Sequence, residues 1–319
     1  MANIFEKNNF SVLSLFDGMS CGQIALNKAG LKPQRYYSSE IDKYALQVAK
    51  KNFPSTMFLG DVKTVRECDL SFGVDLLIGG SPCQGFSFAG KQLNFNDERS
   101  KLFFEFVRIL NECKSTKPTV KFLLENVNMK YEHQLVISKY LGVEPIEINS
   151  ELLSAQRRTR LYWTNIKLEP YGLFGEMKSA IPQPKDRGIY LPDILETDVA
   201  DKYYLKNKKL AWWERMKEYQ LKKQYNQLNG KKALCLMART HAAWNGDFIE
   251  DAKGIRTLTP IETERLQTVP DNYTDCVSDS HRYKMLGNGW TVDVIAFIFS
   301  FLKGEEKKDF NKKENYAHT

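Results

Sequence analysis

The sequence is poor in cysteine and has no closely spaced cysteine pair. Its six cysteines are scattered over 319 residues without a C-x-x-C motif, which argues against a zinc site and a disulfide framework and favours a reducing cytoplasm. The longest apolar run, residues 290–302, contains Asp293 and is too short to span a bilayer. The amino terminus lacks the apolar segment of a signal peptide. These absences predict a cytoplasmic protein without a metal site or a membrane anchor.

The composition is that of a globular protein with a modest excess of positive charge. The chain is 42% hydrophobic and 27% charged, with a formal net charge of +7. Its length allows one large domain or two of ordinary size. The positive charge favours a polyanionic partner, although exposed lysines alone produce the same excess.

A predicted strand, turn and helix open the chain. The apolar run S-V-L-S-L-F ends at Phe16 and leads through D-G-M-S-C-G into a helical segment. Glycines such as Gly18 let a ligand approach the backbone, and the helix offers free N–H groups. This order is typical of nucleotide cofactor sites. Because the spacing is not G-x-G-x-x-G, a purely structural turn remains an alternative.

Carboxylates follow the next two predicted strands. Glu40 ends R-Y-Y-S-S-E, 22 residues after Gly18, and Asp61 follows the short strand T-M-F-L. An acid at the end of the second strand is placed to bind ribose hydroxyls, and Asp61 could accept a hydrogen bond from an adenine amino group. The pattern predicts an adenosine cofactor, and it leaves nicotinamide and S-adenosylmethionine both open.

The segment D-L-L-I-G-G-S-P-C-Q-G-F-S-F contains a candidate nucleophile. Residues 75–78 predict a buried strand, and two glycines then allow a sharp turn. Pro82 fixes its own backbone, so Cys83 is directed beyond the carboxyl end of the strand, where chemistry is found in open α/β sheets. The alternative is a buried, inert thiol.

Two further segments supply charged candidates. Glu125 lies at the end of the predicted strand V-K-F-L-L-E-N-V and suits proton transfer. Arg158 and Arg160 in Q-R-R-T-R share one face of an extended chain. The alternatives to a catalytic role for these arginines are phosphate binding and ordinary surface charge.

Two neighbouring segments are predicted to form a lid and a core helix. Residues 84–100 predict a glycine-containing lid, and residues 101–111 predict an amphipathic core helix.

Together these motifs resemble the DNA (cytosine-5)-methyltransferase family. The matching blocks occur in family order and cover residues 11–165 and 254–302; they read L-F-D-G-M-S-C-G, E-I-D-K-Y-A, G-D-V, G-S-P-C-Q-G-F-S, E-N-V, Q-R-R-T-R, R-T-L-T-P-I-E-T-E-R-L-Q and M-L-G-N-G-W-T-V. The first block has Ser20 and Cys21 where two glycines are usual. The last has Gly289 and Trp290 where a serine and a valine are more usual.

The resemblance implies a fold and a reaction. The fold is an α/β class I methyltransferase, Rossmann-like, with a doubly wound, mostly parallel sheet and a small inserted target-recognition domain. Cys83 would add to carbon 6 of a flipped-out cytosine, Glu125 would protonate N3, and Arg160 with help from Arg158 would contact O2. S-adenosylmethionine would methylate carbon 5 of that cytosine, within a short sequence of double-stranded DNA.

The resemblance also implies which residues bind the cofactor and which region recognises the DNA, whereas the base-reading residues are inferred from their hydrogen-bonding groups. The expected cofactor-binding residues are Phe16, Gly18, Glu40, Ile41, Asp61, Val62, Pro82, Asn288 and Trp290. Residues 166–254 match no family block, and residues 200–245 hold eleven Lys/Arg against three Asp/Glu, as expected for phosphate contacts. A solvated basic helix is the alternative. The expected DNA-binding residues are Gln84, Ser87, Arg239, Thr240, His241 and Asn245.

The implied organisation has three parts. Residues 1–165 and 255–303 would form the catalytic domain, residues 166–254 the recognition region, and residues 304–319 a disordered tail. A monomer encoded by a bacterium or a phage is expected, and a cognate restriction endonuclease is an optional partner. A tRNA cytosine-5 methyltransferase, a nicotinamide oxidoreductase and a catalytically silent nucleic-acid binder are the alternatives.

Overall fold

The computed structural model describes residues 3–71, 73–81, 98–172, 175–239 and 246–303, with residues 98–100 described by their backbone alone. They form two compact units. The first unit contains the described parts of Met1–Ile148, Thr159–Gln183 and Ile295–Phe310, and the second contains those of Asn149–Arg158 and Pro184–Val294. These bounds differ from the predicted ones, since residues 255–294 fall with most of the recognition region. The functional domain assignment stays a prediction.

A seven-stranded sheet forms the centre of the first unit. Its strands in chain order are β1 (Ser11–Leu15), β2 (Arg35–Ser39), β3 (Met57–Phe58), β4 (Leu76–Gly80), β5 (Lys121–Val127), β6 (Ile146–Asn149) and β7 (Thr159–Thr164). The spatial order is β3-β2-β1-β4-β5-β7-β6. Strands β1 to β5 pair in parallel, whereas β7 runs antiparallel to β5. The mostly parallel α/β sheet is therefore confirmed.

Buried aliphatic strands and amphipathic helices build the core of this unit. Its described helices are α1 (Cys21–Lys28), α2 (Lys43–Asn52), α3 (Glu98–Thr116) and α4 (Tyr131–Leu141). The predicted apolar face of α3, including Phe103 and Phe106, is buried in one cluster with Leu13, Leu77 and Leu124. Helix α3 begins at Glu98, so the end of the expected lid segment is helical. The rest of that segment, residues 84–97, lies outside the described residues.

Both ends of the described chain belong to the first unit. The Asn3 side-chain amide donates to the Leu302 carbonyl at 2.7 Å, and Lys303 Nζ donates to the Gly30 carbonyl at 2.5 Å. The same unit includes the hairpin β8 (Leu168–Tyr171) and β9 (Glu176–Ser179). The expected tail, residues 304–319, lies outside the described residues.

The second unit has a smaller sheet and a separate core. Strands β10 (Asn226–Leu228), β11 (Gly246–Asp251) and β12 (Gly254–Thr257) form the sheet. Helix α5 (Lys208–Lys222) buries Trp213 against Phe248, with ring centroids 4.2 Å apart. This compact packing gives the basic segment of the chain a fixed support.

Three helices follow in the chain: α6 (Pro260–Leu266), α7 (Asp279–Asn288) and α8 (Val292–Ser300). Helix α6 begins at Pro260, with Thr259 and Glu262 forming a capping box. Gly287 and Asn288 are the last two residues of α7, and Gly289 follows the helix. Among the described residues, one stretch, Asp279–Lys303, could cross a membrane by length and composition, but 61% of its apolar window is buried, as in a core helix.

Candidate active site

The first glycine turn carries an exposed backbone site at the carboxyl end of β1. Phe16 and Gly18 both adopt left-handed conformations, with φ of 57° and 59°. The Gly18 N–H donates to Glu40 Oε2 at 2.8 Å. Among the described residues, and apart from its two chain neighbours, no heavy atom lies within 4 Å of the position that a Cβ on Gly18 would occupy. The turn therefore leaves room for a ligand against the backbone, as the sequence predicts for Gly18.

Glu40 is held in place before any ligand binds. Its Oε1 accepts the N–H groups of Ile41 and Asp42 at 2.7 Å and 2.8 Å, in addition to the Gly18 bond at Oε2. A carboxylate has about four acceptor positions. Three backbone bonds thus fix the Glu40 carboxylate while leaving acceptor capacity for a hydroxyl group.

The next strand ends supply an apolar and an acidic side chain. Ile41 is 73% exposed directly after Glu40. Asp61 is exposed after β3, where its carboxylate accepts the Lys63 N–H at 3.0 Å. Because β1, β2 and β3 are parallel neighbours, these groups lie at one sheet edge. An exposed apolar side chain between two carboxylates fits an adenosine group, whereas the Val62 side chain belongs to the core.

A second group forms at the carboxyl end of β4, before the predicted nucleophile. Gly80 pairs with Glu125 of β5. The next residue, Ser81, is buried, and its Oγ accepts a hydrogen bond from the Asn126 side-chain amide at 3.2 Å. The chain is thus anchored just ahead of Pro82 and Cys83. Those two residues, with Gln84 and Ser87, lie outside the described residues.

Glu125 and Arg160 form an ion pair on neighbouring strands. Arg160 Nε lies 3.1 Å from Glu125 Oε1, and each side chain is 13% exposed. In the antiparallel register Arg160 is opposite Val127 and Tyr162 is opposite Glu125, so the acid and the cation are diagonal neighbours on one face. The structure therefore brings together two of the predicted catalytic residues.

Arg158 occupies a different environment from Arg160. It is buried in the second unit, and its guanidinium donates to the carbonyls of Leu236 at 2.6 Å, Gly287 at 3.2 Å and Gly289 at 2.9 Å. The position of a Cβ on Gly287 would be 2.3 Å from the Met237–Ala238 backbone. Arg158 and Gly287 therefore join the end of α7 to the segment that precedes residue 239.

The remaining predicted residues lie in the second unit or outside the described residues. Asn288, the last residue of α7, is exposed, and Trp290 is half-buried. Arg239 is exposed beyond the segment that Arg158 holds. Thr240, His241 and Asn245 lie outside the described residues.

One buried charged residue beside the glycine turn was missed by sequence reasoning. Asp17 is 8% exposed, and its carboxylate accepts hydrogen bonds from Tyr36 at 2.7 Å and Ser38 at 2.8 Å. Burial raises the pKa of Asp17, an effect that its hydroxyl donors oppose. Tyr36 and Ser38 are alternate residues of one strand, so polar groups repeating on one face of a buried strand were the available signal.

Comparison with known proteins identifies relatives over nearly the whole chain. The family described as C-5 cytosine-specific DNA methylase matches residues 10–304. The type II methyltransferase M1.ScrFI of Lactococcus lactis subsp. cremoris is 32% identical, over 91% of this chain and 77% of that protein. M.NlaX of Neisseria lactamica is 31% identical, over 92% and 96% of the two chains.

Solved structures share the fold. A DNMT2 variant from Spodoptera frugiperda has a TM-score of 0.69 at 23% identity, covering 92% of this chain and 99% of that one. A putative DNA modification methyltransferase from an Escherichia coli prophage has a TM-score of 0.59 at 19% identity, covering 92% and 98%. The class I methyltransferase fold is therefore confirmed.

Proposed function

This chain belongs to the C-5 cytosine-specific DNA methylase family, and on that premise we propose that it methylates carbon 5 of a flipped-out cytosine in a short DNA sequence. Membership makes it a DNA (cytosine-5)-methyltransferase with relatives among type II restriction-modification enzymes. The observation that carries the specific chemistry is the Glu125–Arg160 pair, at the sheet edge where β4 leads to Cys83.

The proposed cofactor is S-adenosylmethionine, which supplies an electrophilic methyl group. Gly18 offers an open backbone approach, Glu40 a fixed carboxylate for a ribose hydroxyl, and Ile41 an exposed apolar contact for the adenine. Asp61 is placed to accept from the adenine amino group. Pro82 and the backbone of Val62 are also proposed to contact the cofactor. Asn288 and Trp290 stay cofactor residues predicted from the family resemblance alone.

The proposed reaction begins with covalent addition to the base. The Cys83 thiolate forms a bond to carbon 6 of cytosine while Glu125 gives a proton to N3, so the ring becomes nucleophilic at carbon 5. The positive charge of Arg160 stabilises the negative charge that develops at O2. Carbon 5 takes the methyl group and S-adenosylhomocysteine is released. Water then accepts the carbon 5 proton, and cleavage of the sulfur–carbon 6 bond returns the Cys83 thiolate and restores the aromatic ring. The N3 proton returns to Glu125.

Arg158 is assigned a positioning role in place of the predicted contact with O2. Its guanidinium donors are used by three backbone carbonyls of the second unit. Hydrogen bonds of a charged donor to buried carbonyls are among the stronger ones in proteins. Arg158 would therefore fix the segment that leads to Arg239 and the turn that carries Trp290.

The proposed partner is double-stranded DNA. The described part of residues 200–245 presents a basic helix, α5, on a packed core that includes Trp213. Such a surface suits phosphate contacts, and Arg239, Thr240, His241 and Asn245 are the proposed base readers, with Gln84 and Ser87 on the flipped base. A monomer is expected to act alone, without its restriction endonuclease.

RNA is the second candidate substrate. Two DNMT2 structures share the fold: the Spodoptera frugiperda variant at 23% identity and the S. pombe protein at 19% identity. The type II methyltransferases are more similar in sequence, at 32% and 31% identity. The sequence relatives therefore favour DNA as the substrate. The trapping experiment described next distinguishes a DNA substrate from an RNA substrate.

The covalent step is tested by trapping. The purified chain is incubated with S-adenosylmethionine and with duplex DNA whose cytosines are replaced by 5-fluorocytosine. In this base fluorine replaces the carbon 5 hydrogen and cannot be removed as a proton is, so the enzyme is not released. We expect a covalent complex that resists boiling in detergent, and none with Cys83→Ala, which should still bind cofactor. The mechanism is refuted if the wild-type chain methylates ordinary DNA yet forms no such complex. A complex with 5-fluorocytosine RNA alone would assign the RNA substrate.

A further inference from the structure

A buried carboxylate supports the first glycine turn from its inner side. Asp17 lies between Phe16 and Gly18, two residues in left-handed conformations. Its Oδ1 accepts the Tyr36 hydroxyl at 2.7 Å, and its Oδ2 accepts the hydroxyls of Ser38 at 2.8 Å and Ser20 at 2.5 Å. All three donors are neutral, so in the described structure no cation compensates this buried carboxylate through those bonds.

These bonds connect three elements at one point. Tyr36 and Ser38 are alternate residues of β2, and Ser20 is the N-cap residue of α1. The Asp17 N–H also donates to the Ser39 carbonyl at 3.1 Å. The turn after β1 is thus fixed to β2 and to the start of α1 through a single side chain and its backbone.

The turn is costly without this support. Phe16 and Ser20 adopt φ of 57° and 64° although neither is glycine, and the left-handed conformation is unfavourable for a residue that has a Cβ. Burying a carboxylate is also unfavourable, since a neutral side chain would avoid the desolvation cost. Strain and buried charge at one point are typical of functional sites.

Asp17 and Glu40 hold the same turn from two sides. Asp17 binds β2 and α1 beneath the turn, while Glu40 accepts the Gly18 N–H on the ligand side at 2.8 Å. If the Asp17 bonds were lost, Phe16 and Ser20 could relax toward ordinary φ values. The Gly18 N–H would then turn away from Glu40, and the carboxylate proposed to bind ribose would lose one of its three fixing bonds.

We propose that Asp17 is a positioning residue for S-adenosylmethionine binding, which keeps the Phe16–Ser20 turn and Glu40 in their binding geometry. The inference rests on the proposed cofactor. Asp17 acts on cofactor affinity and leaves the steps at the cytosine unchanged, since Glu125 and Arg160 lie on other strands. A purely structural carboxylate would instead affect folding stability alone.

The chain contains a matched control for a purely structural role. Asp75 is also buried, directly before β4, and accepts the Ser11 N–H at 2.8 Å and the Ser11 hydroxyl at 3.2 Å, with Lys117 as its ion-pair partner. It belongs to the same unit but lies at the amino ends of the strands. Asp75→Asn therefore removes a buried carboxylate away from the proposed cofactor site.

The test measures cofactor affinity separately from activity. Isothermal titration of the full chain with S-adenosylhomocysteine should show about tenfold weaker binding by Asp17→Asn and no change by Asp75→Asn. KM for S-adenosylmethionine should rise by a similar factor, while kcat at saturating cofactor stays within about twofold. Equal affinities of wild type and Asp17→Asn would overturn the assignment.

A second variant covers the case in which Asp17→Asn does not fold. Tyr36→Phe removes one donor from the carboxylate and should weaken S-adenosylhomocysteine binding by about threefold. In that case an unchanged affinity of Tyr36→Phe would refute the positioning role. If the wild-type chain itself fails to bind S-adenosylhomocysteine, the proposed cofactor is wrong. The proposed role of Asp17 is then refuted as well, because it depends on that cofactor.

Discussion

Arg160 Nε lies 3.1 Å from Glu125 Oε1, across the antiparallel pair β5 and β7. The N3 and O2 atoms of cytosine are adjacent on one edge of the base. An acid and a cation that are diagonal neighbours on one sheet face can therefore meet both atoms together.

Replacing Glu125 with glutamine should abolish most of the methyl transfer. Glutamine keeps the size of the side chain but cannot give a proton to N3, so the single-turnover rate should fall by about 100-fold or more. S-adenosylhomocysteine affinity should be unchanged. Glu147→Gln, at an exposed position of β6, is the control and should retain the wild-type rate. A Glu125→Gln rate within a few-fold of wild type would exclude Glu125 as the proton donor.

Replacing Arg158 with lysine should destabilise the second unit. A lysine ammonium cannot reach the Leu236, Gly287 and Gly289 carbonyls together, and the unsatisfied buried carbonyls should cost about 2 kcal/mol of unfolding free energy. Urea unfolding measures this loss. Arg157→Lys is the matched control, because Arg157 is the exposed neighbour and donates to the Gln227 side chain. Equal stabilities of the two variants would contradict the positioning role of Arg158.

Asp247 should make stability depend on pH near neutrality. Burial raises the pKa of Asp247 from 3.8 to about 7, although its carboxylate accepts hydrogen bonds from Leu234 N–H and Gln227 Nε2. The folded chain thus binds this proton more tightly than the unfolded chain. The resulting stabilisation is complete below the unfolded pKa and is lost as pH rises through about 7.

This pH effect is isolated by comparison with Asp247→Asn. Between about pH 5 and about pH 8 the unfolding free energy of the wild type should fall by about 2 kcal/mol more than that of the variant. Urea unfolding at both pH values gives the difference. Parallel curves for the two proteins would show that Asp247 does not titrate in this range.

The lysines at the end of α5 should contribute to DNA affinity through phosphates. Lys222 and Lys223 are exposed, and their replacement by glutamine should weaken DNA binding and lower the slope of log K against log salt by about 1 to 2. Lys50 and Lys51 are an equivalent exposed pair at the end of α2. If Lys50→Gln/Lys51→Gln had the same effect, the loss would reflect net charge and not a surface on α5.

The strand ends were predictable from sequence because a short buried strand is a brief aliphatic run that is bounded by turn-forming residues. The strands predicted at residues 11–16 and 75–78 correspond to β1 and β4, although β4 continues through the two glycines that were predicted to turn. Glu40 and Asp61 follow β2 and β3 as predicted. Glu125 and Arg160 were selected as candidates because they lie in the short motifs E-N-V and Q-R-R-T-R, which can be recognised without knowing the fold.

Other features depend on contacts far apart in the chain. The i, i+2 spacing of Arg158 and Arg160 predicts a shared face, but Arg158 precedes β7 and is held by carbonyls 78 to 131 residues away. The small sheet β10–β12 and the Asp17 network likewise required non-local pairing. Local patterns do not determine such contacts, because many alternative partners satisfy the same side chain.

The central claim, that this chain methylates carbon 5 of cytosine in DNA, is tested most directly by bisulfite sequencing. An unmethylated plasmid is incubated with the purified protein and S-adenosylmethionine, with Cys83→Ala as the control. The account predicts protected cytosines in one recurring sequence context with the wild type alone. Complete conversion of every cytosine, by a protein shown to bind S-adenosylhomocysteine, would contradict the DNA substrate.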